Sequence, residues 1–179
     1  VEFDGVRAEM VGEPGHGVKT IMDMVTLTRL DCALGTSGIM RAALSEAVHH
    51  CRHRSVFGAN LIDQPLMIRV LADLALDVAA ATALSFRLAR AFDEAAEERE
   101  SAAFARAMTP AVKYWVCKTG PALIYEAMEC LGGNGYVEEA PLSRYYREAP
   151  VNAIWEGSGN VMALDVLRVL SRHRDQFEL

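Results

Sequence analysis

Two groups of residues toward the C-terminal end could do chemistry together. A glycine-rich turn, Gly132-Gly133-Asn134-Gly135-Tyr136, is followed by the lone carboxylate of Ile154-Trp155-Glu156-Gly157-Ser158. A carboxylate beside an apolar wall loses hydration, so its pKa rises and it becomes a usable general base. An acid there also has a plainer role, since a helix N-terminus favours negative charge. Glycine after a long helix is a common C-cap. One would suffice, so three glycines and an asparagine in four residues suggest backbone that makes room for a bulky ligand.

Other constellations are weaker. His49, His50, Cys51 and His53 cluster near a helix end, but zinc needs four ligands with matching direction. The H-E-x-x-H pattern is absent, because positions 50 and 51 are His and Cys. Histidines at a helix C-terminus already answer its dipole, so no metal is expected. No Ser or Cys stands in a G-x-S-x-G elbow. The loop Gly12-Glu13-Pro14-Gly15-His16-Gly17 lacks the strand before and the Lys-Ser/Thr after that a phosphate cradle requires.

The elements that must carry these residues read as helices. With 179 residues, 51% hydrophobic and 7% aromatic, the chain can bury one substantial core, and its alanine and leucine content favours helix. A net charge of −6 and a pI near 5.4 disfavour a nucleic-acid binder. Four scattered cysteines, Cys32, Cys51, Cys117 and Cys130, suit reduced core positions in a cytoplasmic protein. No apolar run reaches the roughly 18 residues of a membrane span. The chain opens on Val1 and lacks a signal peptide, as a piece of a longer protein would.

Alternation over Val1 to Ala8 predicts a short strand, and Gly12 to Gly17 a loop. A helix from about Val18 to His53 carries Ile21, Met24 or Val25, Thr28, Cys32, Ile39, Ala43 and Val48. Gly35 and Gly38 interrupt it, most simply for close helix packing. Asp63 caps a second helix, with Pro65 in its first turn and a stripe through Val70, Leu74, Val78, Ala81, Leu84 or Ser85, Leu88 and Phe92. A third carries Phe104, Met108, Val112, Trp115, Leu123 and Leu131, with bends at Pro110 and Pro121. Shorter helices at Pro141 to Glu148 and Gly157 to Arg172 complete an all-α, up-down helical bundle with a short N-terminal strand segment.

In order along the chain, these segments resemble the C-terminal helical domain of the acyl-CoA dehydrogenase flavoproteins. The likeness rests on Phe3-Asp4-Gly5-Val6-Arg7, Leu27-Thr28-Arg29, Arg54-Ser55-Val56-Phe57-Gly58, Leu131 to Tyr136, Tyr146-Arg147-Glu148 and Trp155-Glu156-Gly157. Arg29 to Gly35 and Pro150 to Asn160 are similar to the alkylation-response branch. The resemblance implies that residues 1–16 end a preceding β-domain and its linker, and that 17–179 form the helical bundle domain. It implies FAD as cofactor and an acyl-CoA thioester as substrate. Glu156 would remove the α-proton while hydride leaves the β-carbon for flavin N5. Some relatives carry the base on the first helix, where this chain has Thr28.

By the same resemblance, Arg54 and Phe57 would meet the FAD of a neighbouring subunit, with Gln64 nearby. Glu129, Gly132 and Gly133 would line the dinucleotide, and Ser158 and Asn160 would reach it from the last helix. Arg29, Trp155 and Gly157 would border the acyl-CoA. Two departures stand out: Glu129 where many relatives have glutamine, and Val56 in place of a frequent threonine. A homodimer or homotetramer, and an electron-transfer flavoprotein as acceptor, are also implied. Two further functions fit the same sequence: a DNA-associated alkylation-response flavoprotein, and a helical oligomerisation domain with vestigial chemistry. For the first, Arg144, Arg147, Arg168, Arg172 and Arg174 are balanced by Glu148, Glu156, Asp165, Asp175 and Glu178, so a DNA role is not expected of this chain.

Overall fold

The computed structural model describes residues 1–172. Three long helices make the body: α1 over Gly17–His53, α2 over Pro65–Glu94 and α3 over Arg99–Leu131. They pack on one another, and the short turn at residues 95–98 sends α3 back along α2. Three shorter helices follow: α4 over Gly133–Tyr136, α5 over Pro141–Asn152 and α6 over Gly159–Arg172. α5 lies on α3 and α1, and α6 on α3. A two-stranded hairpin, β1 at Ser55–Val56 and β2 at Ala59–Asn60, joins α1 to a 3-10 turn over Leu61–Asp63.

The all-α bundle is thus as expected, with local differences. Val1 to Ala8 forms no strand, and every residue of 1–16 is exposed. A strand needs a partner edge for its backbone groups, and among the described residues none lies beside it. α2 is capped at Gln64 rather than Asp63, which belongs to the 3-10 turn; Pro65 does sit in the first helical turn. Both Pro110 and Pro121 lie within an uninterrupted α3. α5 runs four residues past its expected end at Glu148, and α6 begins at Gly159.

The α2 stripe packs largely as expected, through Leu74, Val78, Ala81, Ser85 and Leu88. On α1 the inward face is Leu30, Ala33, Met40, Ala43, Ala47 and Cys51, while Ile21 and Met24 stay exposed. On α3 it is Ala105, Thr109, Val112, Val116, Leu123 and Ala127; Phe104, Met108, Trp115 and Leu131 only flank the core. All four cysteines are free and buried. Burial pushes the thiols of Cys117 and Cys130 up to about 11 and about 12, so both stay protonated at neutral pH.

Gly35 and Gly38 do not break α1, nor do they seat another helix. A Cβ added at either would meet nothing within 4 Å. The close approach of α1 and α3 is made instead by Gly120, where a Cβ would lie 2.6 Å from Thr36 Cγ2. Swinging Thr36 aside would break the hydrogen bond its hydroxyl donates to the Cys32 carbonyl at 2.7 Å. Gly120→Ala is therefore expected to destabilise the fold by about 1–3 kcal/mol through overpacking. Gly38→Ala should stabilise it by about 0.5–1 kcal/mol, since α1 gains helix propensity there without a clash. Urea unfolding of both variants against the wild type measures the two.

Candidate functional site

Glu156 stands in the turn between α5 and α6, half-buried, with φ at +57°. Only two non-glycine residues among those described have positive φ, and the other is Phe57 at +53°. The left-handed region is costly for side chains other than Gly, Asn and Asp, and persists where the surroundings over-determine it. Gly157 follows at φ +111°, where a Cβ would lie 2.6 Å from Met162 Cε. The turn therefore requires glycine at 157.

The over-determination comes from below. Lys113 of α3 is 1% exposed, and its Nζ donates to the carbonyls of Trp155 at 2.8 Å and Gly157 at 2.7 Å. Arg29 of α1, 7% exposed, donates through Nε to the carbonyl of Glu156 itself at 3.0 Å. Three consecutive carbonyls thus face two buried cations. Arg29 also pairs through Nη1 with buried Asp165 of α6 at 2.9 Å, which Arg106 of α3 grips at 2.7 Å. Burial pushes the Asp165 carboxyl up, but Arg106, Arg29 and Arg168 together outweigh it and hold it below its ordinary value. Desolvation lowers the Lys113 ammonium as well, below the usual lysine range.

Above the turn lies a cavity of about 460 Å³ lined by Thr28, Asp31, Cys32, Gly35, Asn152, Trp155 and Glu156. The open side of Gly35 faces it, so this glycine leaves room in a cavity and not for a helix. The apolar wall expected beside Glu156 is half in solvent, with Trp155 54% and Ile154 65% exposed. Glu156, Trp155, Thr28 and the backbone of Arg29's turn therefore meet, while the Arg29 side chain is turned inward to Glu156 and Asp165.

A second cavity, of about 510 Å³, collects Arg54 with Glu129, Gly132, Gly133 and Asn134, walled by His50, Leu61, Met67, Cys130 and Leu131. Gly132 ends α3 at φ +60°, which fits a glycine C-cap. Gly135 is needed for packing, since its Cβ would strike the Met128 carbonyl. Gly133 is bounded by nothing within 4 Å, so its backbone is bare to the cavity. Arg54 makes no ion pair among the described residues, and bare backbone beside a free guanidinium suits a diphosphate. Glu129 faces the same space with opposite charge.

The remaining residues are set apart from that cavity. Phe57 and Gly58, both with positive φ, form the two-residue tip of the hairpin, and the Phe57 ring is 100% exposed. Gln64 braces the tip by donating to the Val56 carbonyl at 3.1 Å. Ser158 and Asn160 are exposed at the start of α6 and line neither cavity. His49 and His53 stack at 4.5 Å between ring centres, and His53 Nδ1 is 2.8 Å from the His49 carbonyl. Of the basic residues weighed for DNA, Arg147 is paired with Glu138 at 2.6 Å and Arg168 lies 3.7 Å from Asp165. The side chain of Arg172, with Arg174, Asp175 and Glu178, lies outside the described residues.

Lys113 and Arg106 were not singled out from the sequence, and Asp165 figured there only as an acid balancing nearby arginines. A signal existed for the first: Lys113 follows Val112 and precedes Val116 and Cys117 on the inward face of α3, where a lysine is out of place. Nothing local marks Asp165.

A family model described as "Acyl-CoA dehydrogenase, C-terminal domain" matches residues 15–171. The chain is 51% identical, over all 179 residues, to AidB of Escherichia coli, of which it spans 33%. It is 37% identical over 172 residues to acyl-CoA dehydrogenase family member 11 of Caenorhabditis elegans, covering 94% of this chain and 28% of that protein. The structure of C. elegans ACDH-11 in complex with C11-CoA superposes with a TM-score of 0.85 at 35% identity, over 90% of this chain and 28% of that one. The chain thus spans about a third of the length of the relatives it matches. Among the described residues no helix is long and apolar enough to cross a membrane.

The Arg29–Asp165–Arg106 cluster makes a stability test. Asp165→Ala leaves Arg29 buried without its counter-charge, and is expected to cost about 3–5 kcal/mol in denaturant unfolding at pH 7. Because the folded-state pKa of Asp165 lies below its ordinary 3.8, its stabilisation is complete above that value and lost as pH falls through the folded one. Asp165→Asn should remove this part of the acid sensitivity, seen as a flatter stability profile below about pH 4.

Proposed function

The chain belongs to the acyl-CoA dehydrogenase family as a C-terminal helical domain, and we propose that it carries the general base of an FAD-dependent acyl-CoA dehydrogenase. The observation that carries this reading is the Glu156 turn. A carboxylate is held in a strained conformation at the wall of a cavity, and a strained residue so firmly held points to function rather than packing. In this reading Glu156 takes the α-proton of an acyl thioester lying in the cavity, as a carboxylate within hydrogen-bond reach can. Trp155 flanks the acyl chain, Gly157 allows the turn, and Arg29 serves the substrate site from beneath by fixing the Glu156 carbonyl.

Arg54 and the bare backbone at Gly132 and Gly133 fit a diphosphate, with Glu129 as a neighbour of unfavourable sign. When bound, FAD supplies the hydride acceptor for the β-carbon. Phe57 is strained and wholly exposed, two costs that a ring reaching to a neighbouring subunit's cofactor site would offset, with Gln64 as its brace. Ser158 and Asn160 would meet cofactor from the start of α6. Residues 1–16 are taken as the end of a preceding β-domain and 17–179 as the helical domain.

Exposed Phe57, Leu66, Leu76 and Phe86 suit a homodimer or homotetramer. An electron-transfer flavoprotein would accept the electrons, in a cytoplasmic setting. Arg147 is paired with Glu138, and with a net charge of −6 this chain offers little to DNA.

The test uses the full-length protein. Its absorbance spectrum should show bound flavin, which a panel of acyl-CoA thioesters should bleach. Glu156→Gln should slow bleaching by about a hundred- to ten-thousand-fold while flavin stays bound. Unchanged oxidation in that variant would favour a vestigial domain or a different base. The 179-residue piece alone should hold little FAD and show no turnover.

A further inference from the structure

Beyond the base itself, we infer that Lys113 is a positioning residue: from within the core its ammonium fixes the peptides on both sides of Glu156 and so aims the carboxylate into the α1 cavity. The inference rests on Glu156 being the base. Its own support is geometric. Nζ donates to the carbonyls of residues 155 and 157 at 2.8 and 2.7 Å, bracketing Glu156 and leaving its side chain free. Lys113 makes no ion pair among the described residues.

Burying an ammonium against neutral carbonyls alone is costly. A methionine of similar length would fill the same space without that cost, so packing does not account for a lysine. What the lysine adds is directional. Peptide planes on either side of a residue set its φ and ψ, and these set where Cα–Cβ points. With Arg29 on the carbonyl between, all three carbonyls are fixed and Glu156 is held at φ +57°. Without Lys113, two of the three are released, and the left-handed conformation loses what over-determines it.

The test compares full-length, flavin-loaded wild type with Lys113→Met and Lys113→Gln. One readout is deuterium uptake at the α-carbon of acetyl-CoA, which has no β-carbon to lose hydride and so reports the base alone. The other is the rate of bleaching per bound flavin with a longer thioester, together with that thioester's affinity. Lys113→Met is expected to slow both rates about a hundredfold, the effect of a misplacement of about 1 Å, while affinity changes less than about threefold. Lys113→Gln, able to keep one donation, should fall between.

Wild-type rates per flavin in Lys113→Met, with only yield or melting temperature lowered, would show a structural role and overturn the inference. A crystal structure of the full-length wild type with Nζ turned from both carbonyls would overturn it without any variant. A wild type that neither exchanges nor bleaches defeats the reading of Glu156 and this inference with it. Activity that survives in Lys113→Met defeats this inference alone.

Discussion

Three successive carbonyls turned down onto two buried cations are the constraint around which the C-terminal third is arranged. Each cation comes from a different long helix, Arg29 from α1 and Lys113 from α3. The turn can take its shape only if those helices hold a fixed register. Asp165 draws α6 into the same arrangement through Arg29 and Arg106. Three helices therefore converge on a turn that no local sequence preference would form, since Glu156 sits where a glycine or asparagine would be at ease. Backbone strain and buried charge, each unfavourable alone, are made mutually dependent.

That register is set by small residues. Gly120 lets Thr36 lie against α3, and the buried faces of the two helices are rich in alanine: Ala33, Ala43 and Ala47 on α1, Ala105 and Ala127 on α3. Lys113 stands about two turns before Gly120 on the same face, so the close contact also decides how deep its ammonium sits. Cys32 and Cys117 lie in this seam, and Cys117 Sγ is 3.4 Å from the Thr36 hydroxyl. A seam of alanine, glycine, threonine and cysteine gives up some apolar area for closeness. Bulkier cores tolerate small shifts; this one would pass them directly to the turn above.

Much of this was legible in the sequence, unevenly. The bundle, its long helices and the α2 stripe followed from periodicity, because exposed and buried faces there differ sharply in character. The faces of α1 and α3 were placed in part: Cys32, Ala43, Val112 and Leu123 are buried as expected, but several large apolar residues taken as inward are not. Ile21, Met24, Phe104 and Trp115 lie outside or at the margin, while alanines and a lysine occupy the inside. Glycine spacing drew attention to Gly132 to Gly135 correctly, but only Gly132 and Gly133 are bare toward a cavity. Gly132 is needed for its backbone angle and Gly135 for clearance. Glu156 was found from its neighbours. Of the groups that hold it, Arg29 was seen only as a neighbour of the acyl-CoA and Lys113 was not singled out, because both are far from the turn in sequence and nothing near them in the chain marks it as their partner.

The first three turns of α1 stand clear of the bundle, with Val18, Ile21, Met22, Met24 and Leu27 exposed, yet they continue without a break into the turns that carry Thr28, Cys32 and Gly35. An unbroken helix is stiff along its axis. Whatever comes to rest on that uncovered front end holds one end of a rod whose middle forms the cavity wall and, through Arg29, grips the Glu156 peptide. Tilting or sliding the rod by a fraction of an ångström would alter cavity width and carboxylate direction in a single motion. Mechanical linkage of this kind needs no hinge, and it makes the condition of an exposed helix tip part of the state of the site.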